Sequence, residues 1–424
     1  MSVAALAFLS VACSDQHAQA SAGLDELARE YLFLELSMGR HDPNHVDAYF
    51  GPEDIRQSAE EAALALEEIE SRAKALSEQL ERLSTEDVRE GARIEGLLGR
   101  LRALVTRIAL NRGETLPFDE ESRRLFGAAA PDHDSAHFTA ILEEIDTLVP
   151  GEGPLAERVE DFRNEFVVPD ERLPAVFEAA IAECRRRTLD HIDLPDEESF
   201  RLEYVTDKPW TGYNWYEGDA HSLIQINSGL PIYVSRAVDL GCHEGYPGHH
   251  TFNALLEANL VEEAGWIEFT LYPLFSPQSL IAEGSGNYGV ELAFPGDERV
   301  QFEKDELFPL AGLDPDQAAR YYRLLELLEE LSYAGNEAAR DYLNGTIGRE
   351  EAVQWLVDYS LESPERARQR VDFFDTYRSY VINYNLGEDL VRAYVEREAD
   401  TEEERWKRFE RLLSMPVRPS DLAP

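Results

Sequence analysis

The sequence has few cysteines, few basic residues and no long hydrophobic run after its first dozen residues. Only 3 of its 424 residues are Cys, and 84 Asp and Glu outnumber 40 Lys and Arg, so the formal net charge is −44. This shortage of positive charge argues against a nucleic-acid partner, because binding to phosphate backbones requires a basic footprint. No later stretch stays apolar over ~20 positions, the length of a membrane-spanning helix. With 43% hydrophobic residues, however, the chain can bury a sizeable core, which excludes intrinsic disorder.

The cysteines are too few and too scattered to form a disulfide framework or a Cys-based zinc cluster. Cys184 and Cys242 lie far apart in the sequence. We predict that both are small buried hydrophobic residues.

The first residues resemble a bacterial lipoprotein signal. Met1 to Ala12 form a short apolar run, and Val11-Ala12-Cys13 places a small residue before the Cys that becomes lipidated in such signals. The resemblance implies that residues 1–22 are a leader and tether, with a lipid on Cys13 as the one membrane attachment of an extracytoplasmic, periplasmic or outer-membrane protein. The alternative is a buried or frayed N-terminal helix.

Hydrophobic periodicity predicts a mainly α protein with one small β-sheet element. Apolar residues recur at three- and four-residue spacing in many segments, among them Leu64–Leu83, Ile94–Leu110, Phe138–Leu148, Ala175–His191, Asp316–Asn344, Glu350–Leu361, Pro364–Tyr384 and Glu402–Leu413. Short alternating runs at Arg201–Val205 and Ser222–Ile226 predict the strands. We expect an N-terminal helical region, 23–195, and a metal-site region, 196–424, that together form one helical catalytic unit.

Three of the ten histidines fall within the eight residues from His243 to His250. Glu244 follows the first of them, as in the zinc peptidase signature H-E-x-x-H, where two His four residues apart share one helical face. Here Pro247 occupies the position of the second ligand. His249 lies six residues after His243 and off the first face of an ideal helix, whereas His250 regains that face but lies ~10 Å along the axis. A straight helix therefore cannot bring either His to the same ion.

Pro247 and Gly248 provide a way to interrupt the helix. Pro lacks the amide that would close the turn, and Gly tolerates the dihedrals of a bulge. We therefore predict a distorted helix in which residues loop out between His243 and the second ligand, His249, with His250 as the alternative.

The run His243-Glu244-x-x-Pro247-Gly248-His249-His250 resembles the signature of the bacterial "domain of unknown function 885" family (DUF885), which is related to zinc peptidases with a downstream Glu ligand. The family motif continues with Glu-Gly-x-x-x-Tyr, and here Glu283, Gly284 and Tyr288 match it. The resemblance implies a peptidase-like fold with a central cleft and Glu283 as the third metal ligand. Ser285 and Gly286 stand where the family commonly has Trp and Ala. The three glycines at 284, 286 and 289 indicate a close approach to a neighbouring element.

The chemistry of such a site assigns roles to the residues. One Zn²⁺ held by His243, His249 and Glu283 would keep a position open for water, and Glu244 would act as the general base. Donors to the oxyanion are sought in Tyr380 and Tyr384, four apart on one predicted helix, in Arg378, and in His221 from the small sheet. Aromatic residues at this helical spacing are, however, more often part of the core.

The sequence thus predicts a zinc-dependent hydrolase, specifically a metallopeptidase acting on peptide substrates. The alternative is a lipid-tethered, non-catalytic binding protein on a peptidase-like scaffold, in which the metal is structural or absent. Neither a phosphate-binding loop nor a Gly-x-Ser-x-Gly elbow occurs, which argues against nucleotide hydrolysis and serine hydrolase chemistry. The oligomeric state leaves no sequence signal.

Overall fold

The computed structural model describes residues 23–208 and 210–422, and the protein is mainly α-helical, as predicted. Cys13 and the proposed leader lie outside the described residues. Residues 23–39 form the first helix, α1. The helices that follow it up to residue 256 are α2 (Glu53–Ala62), α3 (Leu66–Leu80), α4 (Val88–Asn111), α5 (Phe118–Phe126), α6 (Ser135–Leu148), α7 (Leu155–Asn164), α8 (Leu173–Leu189), α9 (Ser235–Leu240) and α10 (His249–Leu256).

The second half of the chain continues with short and long helices. These are α11 (Pro277–Ala293), α12 (Glu298–Phe302), α13 (Phe308–Ala311), α14 (Ala318–Glu330), α15 (Tyr333–Leu343), α16 (Arg349–Tyr359), α17 (Pro364–Tyr377), α18 (Ile382–Glu396), α19 (Glu402–Ser414) and α20 (Pro419–Leu422). Among the described residues, no helix combines the length and the apolar character needed to cross a bilayer.

Two small sheets accompany the helices. The predicted one contains β2 (Ser199–Val205), β3 (Gly212–Gly218) and β4 (His221–Asn227) in the order β2-β4-β3, with β2 parallel and β3 antiparallel to β4. The other pairs β1 (Val46–Tyr49) with β5 (Leu271–Pro273) in antiparallel fashion. We predicted only one sheet element, because strands this short are below the length at which alternation is visible.

Helix α11 lies at the centre of the fold and carries Glu283. Almost every residue of α11 is buried, as expected for a helix enclosed on all sides. It packs most closely on α18, where a Cβ on Gly284 would lie 2.3 Å from the backbone of Gly387. The close approach indicated by the glycines of α11 is therefore present.

Two sequence-based expectations about this architecture are wrong. Cys184 of α8 and Cys242 form a disulfide, with their Cα atoms 5.5 Å apart, instead of being separate hydrophobic residues. The fold brings together two positions 58 residues apart, which no local pattern reveals. The single helix predicted from Pro364 to Tyr384 is also interrupted, because Arg378 has a φ of +55° and ends α17.

Candidate metal centre

The helical segment that carries His243 widens and then ends. Gly241–Gly245 form a π-helical turn, in which the N–H of Tyr246 donates to the carbonyl oxygen of Gly241 at 3.3 Å. Pro247 has no amide hydrogen to continue the hydrogen bonding, and α10 begins only at His249. The interruption predicted from the Pro-Gly step is confirmed.

Gly248 turns the chain back over the carbonyl group of His243. A Cβ on Gly248 would lie 1.9 Å from that carbonyl oxygen, so no side chain fits at this position. The N–H of Gly248 donates to the carbonyl oxygen of Cys242 at 2.9 Å. As a result the ring of His249 returns to within 4.5 Å of the ring of His243, measured between centroids.

Glu283 meets both imidazoles with one carboxylate oxygen. Its Oε2 lies 3.3 Å from Nε2 of His243 and 3.8 Å from Nε2 of His249. The same Oε2 is buried and lacks a hydrogen-bond partner among the described residues. Three potential ligand atoms, from the π-helical turn, α10 and α11, therefore converge on one point.

Neighbouring residues orient two of these three side chains. The amide oxygen of Asn287 accepts a hydrogen bond from Nδ1 of His243 at 2.8 Å, which leaves Nε2 of the neutral ring with its lone pair toward Glu283. The amide nitrogen of Asn287 donates to the backbone carbonyl of Tyr384 at 3.1 Å. The hydroxyl of Tyr380 donates to Oε1 of Glu283 at 2.7 Å. These are the supporting contacts that metal ligands in proteins usually have.

Glycines make room for the side chains of the site. A Cβ on Gly286 would lie 2.8 Å from the ring of His243, and one on Gly289 would lie 3.0 Å from Pro247. On β3, a Cβ on Gly212 would lie 3.1 Å from Oε1 of Glu244. The absence of a side chain at position 286 thus permits the observed position of His243.

The geometry fits a divalent metal ion. His243, Glu244 and His249 each offer a ligand atom within 4.8 Å of the other two. Zinc bonds of 2.0–2.1 Å in a tetrahedral arrangement separate ligand atoms by roughly 3.3 Å, close to the distances from Glu283 to the two imidazoles. A cation would also satisfy the buried Oε2 of Glu283, which has no hydrogen-bond partner among the described residues. His243 and His249 could thus hold an ion together with Glu283 or with Glu244, and in the first of these sets Glu244 is the adjacent carboxylate.

Burial and charge separate the pKa values of the four groups. Burial raises the pKa of Glu244 to about 7. Burial works against the charged form of Glu283, but the close contact with His243 and the charge of His249 bring its pKa below the ordinary value. Burial and the charge of His243 lower the pKa of His249 to about 4. For His243, burial is outweighed by the close contact with Glu283 and the charge of Glu244, which raise its pKa to about 9.

His250 points away from this centre into a buried polar network. Its Nδ1 lies 2.8 Å from the hydroxyl oxygen of Ser222, and its Nε2 donates to Glu198 at 3.0 Å. The hydroxyl of Tyr246 also donates to Glu198, so the network braces the segment between the two ligands. Because Ser222 is only 1% exposed, its hydroxyl is not available as a nucleophile. The geometry thus favours His249 over His250 as the second ligand.

The structure brings only some of the predicted oxyanion donors to the site. Tyr380 lies in a 3₁₀ turn before α18, and its hydroxyl is occupied by Glu283. Tyr384 lies on α18. Burial, and to a smaller extent the charges on Glu283 and Glu244, raise its pKa well above the ordinary value. The two tyrosines are therefore close to the centre, although not on one continuous helix.

Arg378 and His221 are occupied elsewhere, contrary to our expectation. Arg378 forms a 2.7 Å ion pair with the buried Glu121 of α5. Nδ1 of His221 donates to the backbone oxygen of Asp219 at 2.5 Å. His221 is the first residue of β4 and pairs with Gly218 of β3. Gly212, which lies next to Glu244, pairs with Ile226 at the opposite end of the same ladder. Local sequence spacing could not reveal either placement, because both depend on long-range packing.

Sequence analysis missed several polar groups of the site. Asp47 of β1 accepts a hydrogen bond from the hydroxyl of Tyr213 of β3, and burial, with the charge on Glu283 as a smaller contribution, raises its pKa to about 7. Burial, together with the charges on Glu283 and Asp47, also raises the pKa of Tyr272 well above its ordinary value. Asp47 carries no recognisable motif. Asn287, by contrast, follows Glu283 by four residues, a helical spacing that would have placed both side chains on one face.

No protein-family model matches the chain, and no curated protein matches it. The DUF885 resemblance therefore stays a prediction. Among solved structures, the fold is similar to that of a protein described as a putative lipoprotein from Colwellia psychrerythraea, with a TM-score of 0.51 and 13% sequence identity over 84% of this chain and 68% of that one. At this identity the likeness concerns the fold alone.

Proposed function

We propose that the protein is a zinc-dependent hydrolase, and specifically a metallopeptidase of the DUF885 type. One observation carries the proposal: Nε2 of His243 and Nε2 of His249 converge on the unpartnered Oε2 of Glu283, with Glu244 beside them. Two imidazoles and one carboxylate leave a position open on a tetrahedral ion, which is characteristic of catalytic and not structural zinc.

The metal and the protein side chains would share the chemistry. When bound, zinc supplies Lewis acidity, which lowers the pKa of water toward ~7 and polarises a substrate carbonyl. Glu244 would take a proton from water and return it to the leaving amine. Its pKa of about 7 supports this role, because a general base works best when its pKa lies near the working pH. The carbonyl oxygen of Glu244 accepts a hydrogen bond from Asn214 at 2.7 Å, which holds the π-helical turn that aims the side chain.

The two tyrosines would have different tasks. Tyr380 holds Glu283 through its hydroxyl, so its role is to position a metal ligand. Tyr384 is the better candidate donor to the negative charge that develops on the substrate oxygen, because among the described residues its hydroxyl is not committed to a hydrogen bond.

The decisive experiment compares Glu244→Gln with the wild type in metal content and in cleavage of a broad peptide library. We expect the variant to retain its zinc and to lose about 10²–10⁴-fold in kcat/KM, the usual contribution of a general base. Glu291→Gln, an exposed position on α11 that pairs with Arg392, is the matched control and should retain full activity. A Glu244→Gln variant with both its zinc and full activity would remove Glu244 from the mechanism.

The second candidate is a lipid-tethered binding protein without catalytic activity. The description of the structural neighbour as a putative lipoprotein and the sequence around Cys13 support the tether and an extracytoplasmic location, as does the disulfide, because disulfides persist in oxidising compartments. Absence of cleavage across the library, combined with specific capture of a ligand, would favour this candidate over the peptidase.

A further inference from the structure

A cavity of about 180 Å³ lies between α4, the first turns of α11 and the residues that follow α19. For comparison, a protein cavity of roughly 150 Å³ holds one benzene molecule. Much of the wall is apolar, and the side chains that form this part include Leu97, Phe252, Leu256, Phe269, Ile281 and Leu412. The cavity therefore suits a ligand with a compact apolar body.

The charged part of the wall is unusual for this chain. Four arginines, at positions 93, 100, 102 and 418, line the cavity, against two glutamates, at 95 and 268. Counted over the lining residues, the wall thus carries a positive excess in a protein with a net charge of −44; outside the wall, Asp25 pairs with Arg93 and Asp421 with Arg418. Such a local reversal of sign favours an anion over a cation.

Arg100 is the arginine of this wall that is buried without a carboxylate partner. Arg93 pairs with Glu268 at 2.6 Å, and Arg418 pairs with Asp421 at 2.7 Å. Arg100 is only 7% exposed, yet its Nη1 reaches only the backbone oxygen of Glu268, at 3.4 Å. No carboxylate of the described residues lies within ion-pair distance of it. Because a buried guanidinium without a counter-charge is costly, Arg100 has donors to offer to a bound anion.

Arg100 also lies against the apolar part of the wall. Its guanidinium carbon is 4.3 Å from the ring centroid of Phe269, so the cation and the aromatic surface are adjacent. Gly96, one turn earlier on α4, faces open space, because a Cβ built there meets no atom within 4 Å. The charged group and the room for an apolar body thus occur at the same place.

We propose that this cavity binds a small organic carboxylate, whose anionic group receives hydrogen bonds from Arg100 and whose apolar body packs against Phe269. The site is separate from the metal centre and does not depend on the proposed hydrolase activity. Benzoate and hexanoate are suitable probes, with an aromatic and a linear body respectively, and benzamide is the uncharged counterpart of benzoate.

Calorimetric titration of the full chain tests the proposal. We expect benzoate or hexanoate to bind with a millimolar or lower Kd, and benzamide to bind at least about tenfold more weakly, because its neutral amide cannot form the charge-assisted pair with the Arg100 guanidinium. Arg100→Met should weaken carboxylate binding about tenfold or more. Arg82→Gln, at an exposed position after α3, should leave it unchanged. If neither acid binds to the wild type, or if benzamide binds as well as benzoate, the proposal is wrong.

A cavity-filling variant guards against effects of Arg100 on folding. Gly96→Leu places a side chain in the cavity from a position with free space, and Leu favours a helix interior over Gly. We expect this variant to fold with unchanged or higher thermal stability and to lose carboxylate binding at least tenfold. Unchanged binding in Gly96→Leu would overturn the assignment of the cavity. Metal content and peptide cleavage are separate measurements, so their outcome does not affect this test.

Discussion

At the scale of single residues, each proposed ligand is held by a different kind of contact. Asn287 orients His243, Tyr380 holds Glu283, and Gly248 brings His249 back to the site through the close approach of its backbone. The His-Glu pair and the Pro-Gly break were visible in the sequence because ligands and helix breakers have strong residue preferences. The supporting contacts were not, because Asn and Tyr serve many roles.

The two adjacent histidines at 249 and 250 should respond differently to replacement by Ala. His249→Ala should lose most of its zinc in metal analysis after dialysis, because one ligand is removed, and should remain folded. His250→Ala should keep its zinc but lose about 1–3 kcal/mol of unfolding free energy in urea, because the buried hydroxyl of Ser222 loses its partner and Glu198 loses one of its three.

His221→Ala is the control for both variants, since His221 lies at the far end of β4. It should change neither zinc content nor stability. Loss of zinc in His250→Ala alone would show that the second ligand is assigned to the wrong histidine.

At the scale of elements, the sequence predicted the regular helices and the interruption after His243, but not the interruption at Arg378. The interruption of the helix between His243 and His249 was foreseen from Pro247 and Gly248, whereas the π-helical form of the turn before it was not. The break at Arg378 was not foreseen, because no Pro or Gly marks it and the residue that Arg378 pairs with there, Glu121, is distant in the sequence. Likewise the pairing of β1 with β5 joins segments more than 200 residues apart, which periodicity in a short window cannot detect.

The disulfide links an element to the metal centre and should affect both stability and metal binding. Cys242 is adjacent to His243, and its bond to Cys184 attaches the π-helical turn to α8. We expect Cys184→Ala combined with Cys242→Ala to lower the unfolding free energy by about 4 kcal/mol, the value typical of a bridge across a loop of this length. Zinc affinity should fall as well, because the turn that carries His243 loses an anchor.

Urea unfolding and a competition titration with a metal chelator measure these two effects. Wild-type protein treated with a reducing agent should behave like the double variant. If reduction leaves both unfolding and zinc affinity unchanged, the disulfide does not support the site.

At the scale of the whole molecule, the acidity of the chain is compatible with the proposed metal binding. The chain carries a net charge of −44. At the proposed metal centre, the charge on Glu283 adds to burial in raising the pKa of Asp47 and that of Glu244. Such a field attracts divalent cations. Composition predicted the sign of this field, but only the fold shows that part of it is concentrated where His243 and His249 meet.

The unfolding free energy of the metal-free protein should therefore fall as the pH rises, whereas the stabilisation that zinc adds should increase. In the metal-free protein the pKa of His243 is raised to about 9, so its protonation stabilises the fold fully below about pH 6.5 and this contribution is lost as the pH rises through 9. Zinc binding requires the neutral ring, so apparent affinity should rise up to about tenfold per pH unit over the same range.

Thermal unfolding at pH 6.5, 8 and 9.5, with and without zinc, measures this difference. The stabilisation by zinc should grow across the series. A constant difference between the two curves would contradict the assignment of His243 as a ligand that loses a proton on binding.

The pairing of β1 with β5 has a practical consequence for anyone seeking a minimal active fragment. Asp47 belongs to a strand encoded near the start of the chain, yet it contributes to a site whose proposed ligands all come from the second half. Truncation to residues 196–424 would retain every ligand but remove the hydrogen-bonding partner of β5 and of Tyr213. The shortest functional version must therefore include both halves, even though the motif occupies only one of them.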